Sequence, residues 1–318
     1  MRRLGLAVFD DNAAGAVEQI EQAEHLGIHA AWMTTAGARL DNITTLAAAA
    51  MRTRRILLGT AIVPTFPRHP LVAVQQSRVL NDLAPGRFRL GLGPSHRPMI
   101  ESMGIAFDAP LAHLREYVHV VKALHTTGKV DFDGRHYRAH DAIPAPIDVP
   151  VMTSALQRGS FELGGEIADG VITWICPQPY LRDVGLPAMQ AGAAKAGRAV
   201  PPLVAHAPVC VHDDAGEARA AVRATIMNLM LPFYRRMMVA AGFPEAESGQ
   251  WSDAMIDATV LHGAEDTVAR RIEGLFATGA TEVLVTTVPA GRDPAASHAR
   301  TVRLLGDVAR AMDAEPPR

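Results

Sequence analysis

Aromatic side chains are scarce in this chain of 318 residues: three Trp, four Tyr and nine Phe make up 5% of it. A core must therefore come mainly from Ala, Val, Leu, Ile and Met, within the 48% of residues that are hydrophobic. Cysteine is scarcer. Cys176 and Cys210 have no metal-type spacing and form no disulfide framework, which suits a reducing cytoplasm. Each is expected to be a small buried apolar residue. Neither sign of charge dominates, with 31 Lys and Arg against 33 Asp and Glu. The formal net charge of −2 removes the electrostatic case for nucleic acid but leaves small anionic ligands open to a local cluster. No stretch approaches the roughly 20 apolar residues of a membrane helix. The run Leu4–Phe9 behind Arg2-Arg3 is too short for a secretory leader and ends at Asp10-Asp11. A cytoplasmic protein without membrane partners is expected.

What the sequence does contain is alternation. Eight short apolar runs stand out: Leu4–Phe9, Ala30–Thr34, Ile56–Val63, Arg87–Gly91, Val149–Thr153, Gly170–Ile175, Leu203–Val211 and Glu282–Thr287. Nearly continuous apolar character marks strands covered on both faces, as in a parallel sheet. The segments between them have helical spacing. Val17, Ile20 and Leu26 share a face that Gly27 closes, Leu114, Val118, Val121 and Leu124 form another, and Val268, Ile272, Leu275 and Phe276 precede Gly279. Eight such units imply an α/β fold of the closed (β/α)8 TIM-barrel type, one domain over residues 1–312, with 313–318 a disordered tail. The competing open sheet lacks its Gly-rich fingerprint, because Phe9-Asp10-Asp11-Asn12 follows the first strand. Two segments break the rhythm. Asp131–Tyr137 reads as a hairpin turning at Asp133-Gly134, and Leu231–His262 as a long insertion loop at the C-terminal face.

Active sites of such barrels lie at the C-terminal strand ends. Those ends are poor in carboxylates, and no pair is spaced for a metal. Asp10 and Asp11 are expected to cap the helix that follows. No serine sits in Gly-x-Ser-x-Gly and no Cys–His pair stands out. The difficult chemistry is therefore expected from a bound cofactor. Three stretches suit one, and each has a plainer reading. Gly93, Pro94, Ser95 and His96 close the fourth strand, where glycine lets backbone approach a flat ring, or simply makes a tight turn. Ser154, Ala155, Leu156, Arg158, Gly159 and Ser160 open a helix suited to a phosphate, or to an ordinary cap. Thr60, Ala61, Ile62 and Val63, stopped by Pro64, offer a rigid platform or mere strand termination.

The blocks GTAIVPTFPRHP, LNDLAPGRFRLGLGPSH, VPVMTSALQRGSFELGGEIADGVITWICP and HGAEDTVARRIEGL, in this order, resemble the bacterial-luciferase-like flavin oxidoreductases. Within them the chain is most similar to the branch that uses the deazaflavin coenzyme F420. The resemblance covers Leu4 to about Met312. It implies a flavin-type ring in the barrel mouth and a non-prolyl cis peptide at Thr60–Ala61. It also places Ser95 and His96 near the ring, residues 154–160 at the phosphate, and Trp174 beside the cofactor. Relatives carry an Asp–His pair after the second strand, where this chain reads Thr34-Thr35-Ala36-Gly37. Thr35 can hydrogen-bond but is no useful acid. His96 and His69 are then the candidate proton donors, and Phe9, Trp32, Phe66 and His69 the candidate walls of a small-molecule substrate pocket. The implied activity is hydride transfer between deazaflavin C5 and an organic substrate. The alternatives are an FMNH2-dependent monooxygenase, with FMN as cofactor, and a non-catalytic flavin-binding barrel. Members of the family dimerise through helices flanking the second and third strands. The Ala-rich stretch Leu46–Met51 permits close packing there, so a homodimer is expected.

Overall fold

A computed structural model describes residues 2–35 and 37–314. Each apolar run becomes a parallel strand: β1 (Arg3–Val8), β2 (Ala30–Met33), β3 (Leu57–Thr60), β4 (Phe88–Gly93), β5 (Val151–Ser154), β6 (Gly170–Ile172), β7 (Leu203–Val211) and β8 (Glu282–Thr287). Each strand pairs with the next in chain order, and β8 pairs back with β1, closing a barrel. The strand ends shift by a few residues. The largest change is in β3, which breaks after Thr60 and resumes as Val63–Pro64 against β4. The peptide bond at this break is cis between Ala61 and Ile62, one bond later than expected.

The helices α1 (Ala13–His25), α2 (Asn42–Arg52), α3 (Pro70–Leu83), α4 (Pro110–Thr127), α5 (Arg158–Ile167), α6 (Leu186–Lys195), α7 (Glu265–Thr278) and α8 (Pro294–Ala314) surround the barrel. Their caps follow ordinary chemistry. Asn12, not Asp10 or Asp11, caps α1 by accepting the Ala14 N–H at 2.8 Å. Asp10 instead fixes the turn before it, accepting Asn12 N at 2.8 Å and Gln19 Nε2 at 2.7 Å. The last helix runs two residues past Met312 to Ala314, with Asp313 held 3.1 Å from His29 Nε2. Residues 315–318 of the expected tail lie outside the described residues.

Apolar packing divides into two bodies. The larger lies between the strands and the helices and takes in Cys176 and Cys210, both free and buried. The smaller lies inside the barrel: Ala7, Ala30, Trp32, Met152, Ile172, Val204 and Leu284, with Leu57, Ala61 and Ile62 against it. Trp32 belongs to this interior, fully buried, and is no wall of a substrate pocket. Its indole Nε1 donates to Glu282 Oε1 at 2.6 Å, Arg89 Nη1 donates to Glu282 Oε2 at 2.6 Å, and the Arg89 guanidinium lies 4.2 Å from the indole ring. Glu282 opens β8 and Arg89 is the second residue of β4, so this triad floors the barrel at its N-terminal end. Glycine makes room for it: a Cβ on Gly59 would lie 2.3 Å from the Trp32 ring.

The expected hairpin is present as Lys129–Asp133 against Arg138–Ala142. Its turn is wider than Asp133-Gly134, because the Glu116 carboxylate on α4 collects the N–H groups of Arg135, His136 and Tyr137 at 3.0, 2.7 and 3.1 Å. Beyond β7 the chain forms the helix Ala215–Thr225, then Pro232–Ala240 and Asp253–Thr259, and a short strand Leu261–Gly263 that pairs with the end of β7. Among the described residues no helix is long and apolar enough to cross a membrane.

Candidate active site

Strand alternation defines the mouth. Two residues beyond the interior members Ala7, Met152, Ile172, Val204 and Leu284 stand Phe9, Ser154, Trp174, His206 and Thr286. Ala61 and Ile62 join them from the break after β3, with Gly93 from the end of β4. Phe9 is 48% exposed. A Cβ on Gly93 would lie 2.3 Å from Ser154 Oγ and 3.1 Å from Ile62 Cγ1, so only glycine lets these three segments meet. Of the four residues expected as a platform, only Ala61 and Ile62 face inward. Val63 is buried in the outer body. Thr60 Oγ1 is committed to β4, donating to Gly91 O at 2.9 Å and accepting Gly91 N at 2.8 Å.

The loop after β4 holds Ser95 in the left-handed region, with φ 61°, a conformation that costs a non-glycine residue energy and turns the chain sharply. His96 follows as the first residue before the short helix Arg97–Ser102 and makes no cap bond. Its Nε2 lies 3.5 Å from the Tyr234 hydroxyl, and burial lowers its pKa from the ordinary value. After β5, Ser160 Oγ accepts the Leu156 and Gln157 N–H groups, each at 3.0 Å, and donates to Gln157 O at 2.7 Å. Its hydroxyl is thus spent on its own turn. Ala155 is buried, its N–H tied to Ile172 O at 2.8 Å. Arg158 and Gly159 stand exposed at the helix start, where backbone N–H groups lack intrahelical partners.

Thr35 follows β2. Its Oγ1 is buried with no hydrogen-bond partner among the described residues, and the next residue, Ala36, lies outside them. Phe66 is held between rings, its centroid 3.8 Å from His113 and 4.9 Å from Phe107. The hairpin secures that stack. Tyr137 Oη donates to Thr65 O at 3.1 Å and lies 2.6 Å from His113 Nε2, which requires the proton on that nitrogen. Burial drives the His113 pKa down to about 4, consistent with a neutral ring. His69 caps α3, accepting Leu71 N at 3.3 Å. It is an exposed capping residue rather than a buried acid.

On the far side of the mouth, sequence reasoning singled out Trp174 and gave His206 no role. His206 is 5% exposed, its Nε2 2.7 Å from Thr286 Oγ1 and its ring 4.4 Å from that of Trp174. Trp174 Nε1 donates to Asn228 Oδ1 at 3.2 Å, and Gln157 Nε2 donates to Phe233 O at 2.8 Å. The segment after Ala215–Thr225 is thus fixed to the loops after β4, β5 and β6. A lone imidazole in the apolar run of β7 was the available signal.

The matching family model, "Luciferase-like monooxygenase", spans residues 3–282. The chain belongs to this family. A 5,10-methylenetetrahydromethanopterin reductase from Methanolobus tindarius is 27% identical to it over 89% of this chain and 92% of that one. The solved coenzyme F420-dependent tetrahydromethanopterin reductase of Methanopyrus kandleri superposes with a TM-score of 0.79 at 24% identity, over 98% of this chain and 99% of that one. The FMN complex of the oxygenating constituent of 3,6-diketocamphane monooxygenase from Pseudomonas putida gives 0.74 at 17% identity, over the full length of both. The two structures share the fold with this family member.

Proposed function

We propose that this chain is an oxidoreductase that binds coenzyme F420 in the barrel mouth and serves hydride transfer between the deazaflavin and an organic substrate. The cradle of Gly93, Ser154 and Ile62, with the Thr35 hydroxyl after β2 buried without a partner among the described residues, carries this reading. A flat ring needs backbone approach on one face, which Gly93 permits, and hydrogen-bonding groups at its edge, which Thr35 and Ser154 provide. When bound, the deazaflavin supplies a carbon that accepts or gives up hydride. The chain supplies the rest. Arg158 and the N-terminus of α5 hold phosphate, Ser95 and His96 flank the ring, and the Asn228–Tyr234 segment covers the mouth against water. Trp174 stands beside the cofactor. The reductase relatives support the F420 assignment. Fluorescence titration of the purified protein should show saturable F420 binding; no binding discards the assignment.

The FMN-bound neighbour supports a second reading, a monooxygenase using FMNH2 and oxygen. Oxygen uptake with FMNH2 and without F420 would decide for it. Retention of F420 with no turnover of any substrate in a broad panel would instead favour a non-catalytic barrel. We also assign a homodimer through α2 and α3, whose outer faces present Met51, Val72 and Val79 at 60%, 40% and 52% exposure. A monomeric mass in light scattering would remove it. A cytoplasmic location fits the two unpaired cysteines.

A further inference from the structure

We propose that the reacting part of the substrate is a neutral carbonyl or hydroxyl group and that His206 donates the hydrogen bond that holds its oxygen. This rests on the cofactor reading above and names the substrate class for the same mouth.

Two observations carry it. The first is the absence of charge from the inner lining: Phe9, Ala61, Ile62, Ser154, Trp174 and Thr286 face the mouth with His206. The first carboxylate along the chain, Asp10, is taken by Asn12 N and Gln19 Nε2 on the α1 side. A carboxylate or phosphate on the reacting part of a substrate would lose its water here and find no cation in return. The second is the state of His206. It is more than nine-tenths buried, inside a strand buried at all nine positions, and only Nε2 has a partner. No hydrogen bond to Nδ1 exists among the described residues. The ring contact is Trp174 from the end of β6 and the hydrogen-bond partner Thr286 from β8, neither of them charged, and Arg271 lines a cavity that also touches residues 205–207. Burial alone drives the His206 pKa down to about 3, so the ring is neutral in the physiological range. We assign the Thr286 hydroxyl as the donor to Nε2, which puts the proton on Nδ1, a donor without an acceptor among the described residues.

A neutral imidazole donor suits an oxygen on which negative charge grows. In the reducing direction a bound reduced deazaflavin would supply the hydride to the carbonyl carbon and become oxidised. The C=O electron pair would pass to the oxygen held by Nδ1–H, and a proton from water would complete the alcohol. His206 neither gains nor loses a proton in this step. It reaches the mouth from β7, whereas Thr35 follows β2.

The test uses the full chain. Wild type, His206→Gln and His206→Leu are loaded with F420 and assayed on ketones and secondary alcohols of graded size, and on carboxylates and phosphate esters of matching size. The expected result is turnover of neutral compounds only. Leu should lose about 10²–10³-fold in kcat, Gln should recover at least about tenfold of that loss, and F420 affinity should stay within about threefold in both. Independently of turnover, 15N spectra of histidine-labelled protein should show His206 as a neutral ring from about pH 5 to 8, with its Nδ1 resonance moved by cyclohexanone and unmoved by cyclohexanecarboxylate. Equal losses in Gln and Leu together with a lowered Tm mark a purely structural imidazole and overturn the proposal. So do preferred charged substrates, or an Nδ1 resonance that no neutral compound moves. Failure of F420 to bind wild type defeats the cofactor reading instead, and the spectra of the apo protein still judge His206.

Discussion

The two ends of the barrel handle polar groups in opposite ways. At the floor, the Glu282 carboxylate is buried and answered by Arg89 and Trp32. At the mouth, the Thr35 hydroxyl is buried without a partner among the described residues, and one nitrogen of His206 has none there either. Both ends bury polar atoms, but the floor answers its carboxylate within the chain and leaves Arg89 Nε as its unpartnered atom. Burying a charge is tolerable when it is paired and hydrogen-bonded, and the floor meets that condition within the chain. The mouth leaves it to be met by something else. The difference separates groups that hold the fold from groups that await a ligand, which burial alone does not do.

That contrast can be broken from either side. Arg89→Met strands Glu282, which is 2% exposed, without its cation. It should cost about 3–5 kcal/mol of stability in denaturant unfolding, while F420 affinity of the folded fraction stays unchanged. A loss of binding equal to the loss of stability would erase the distinction between the ends. Gly93→Ala is the counterpart at the mouth. Its Cβ would displace Ser154 or Ile62, costing about 1–3 kcal/mol for overpacking, with F420 affinity down at least about tenfold by fluorescence. Unaltered affinity would remove Gly93 from the cradle.

Acid should weaken the fold through the buried imidazoles. The folded-state pKa values of His113 and His206, about 4 and about 3, lie below the unfolded value of roughly 6.5. The unfolded chain then binds protons first, so stability is full above about pH 6.5 and falls as pH drops from there toward 4. His113→Phe keeps a ring against Phe66 and should flatten that slope. An unchanged slope would mean that His113 does not titrate as described. Tyr137→Phe removes the bond to Thr65 O and leaves His113 Nε2 short of a partner, for a loss of about 1–2 kcal/mol in thermal unfolding. Thr35→Val should have the smallest effect on folding, under about 1 kcal/mol and of either sign, because its hydroxyl has no partner among the described residues. It should still weaken F420 binding several-fold, and equal affinity would show that the orphan is not awaiting this ligand.

The barrel was legible because parallel strands covered on both faces write themselves as apolar runs, and all eight did. Which residues of a run face inward was not legible. Trp32 and His206 sit in such runs, and an unbroken apolar stretch hides the alternation that would orient them. The sequence therefore suggested Trp32 as a pocket wall and gave His206 no role. Hydroxyls were misread for a related reason. Thr60 and Ser160 are of the type that binds ligands, but each is consumed by backbone groups that only the folded chain brings near. The close backbone approach at Gly93 was legible, since it depends on lacking a side chain rather than on where one points.

The triad of Trp32, Arg89 and Glu282 also settles how traffic moves. With its N-terminal end stoppered by an indole and an ion pair, the barrel is a vessel with one door. Whatever lies deepest must enter first and leave last, and nothing can be pushed out from behind. A ligand of the mouth therefore enters and leaves by the same end.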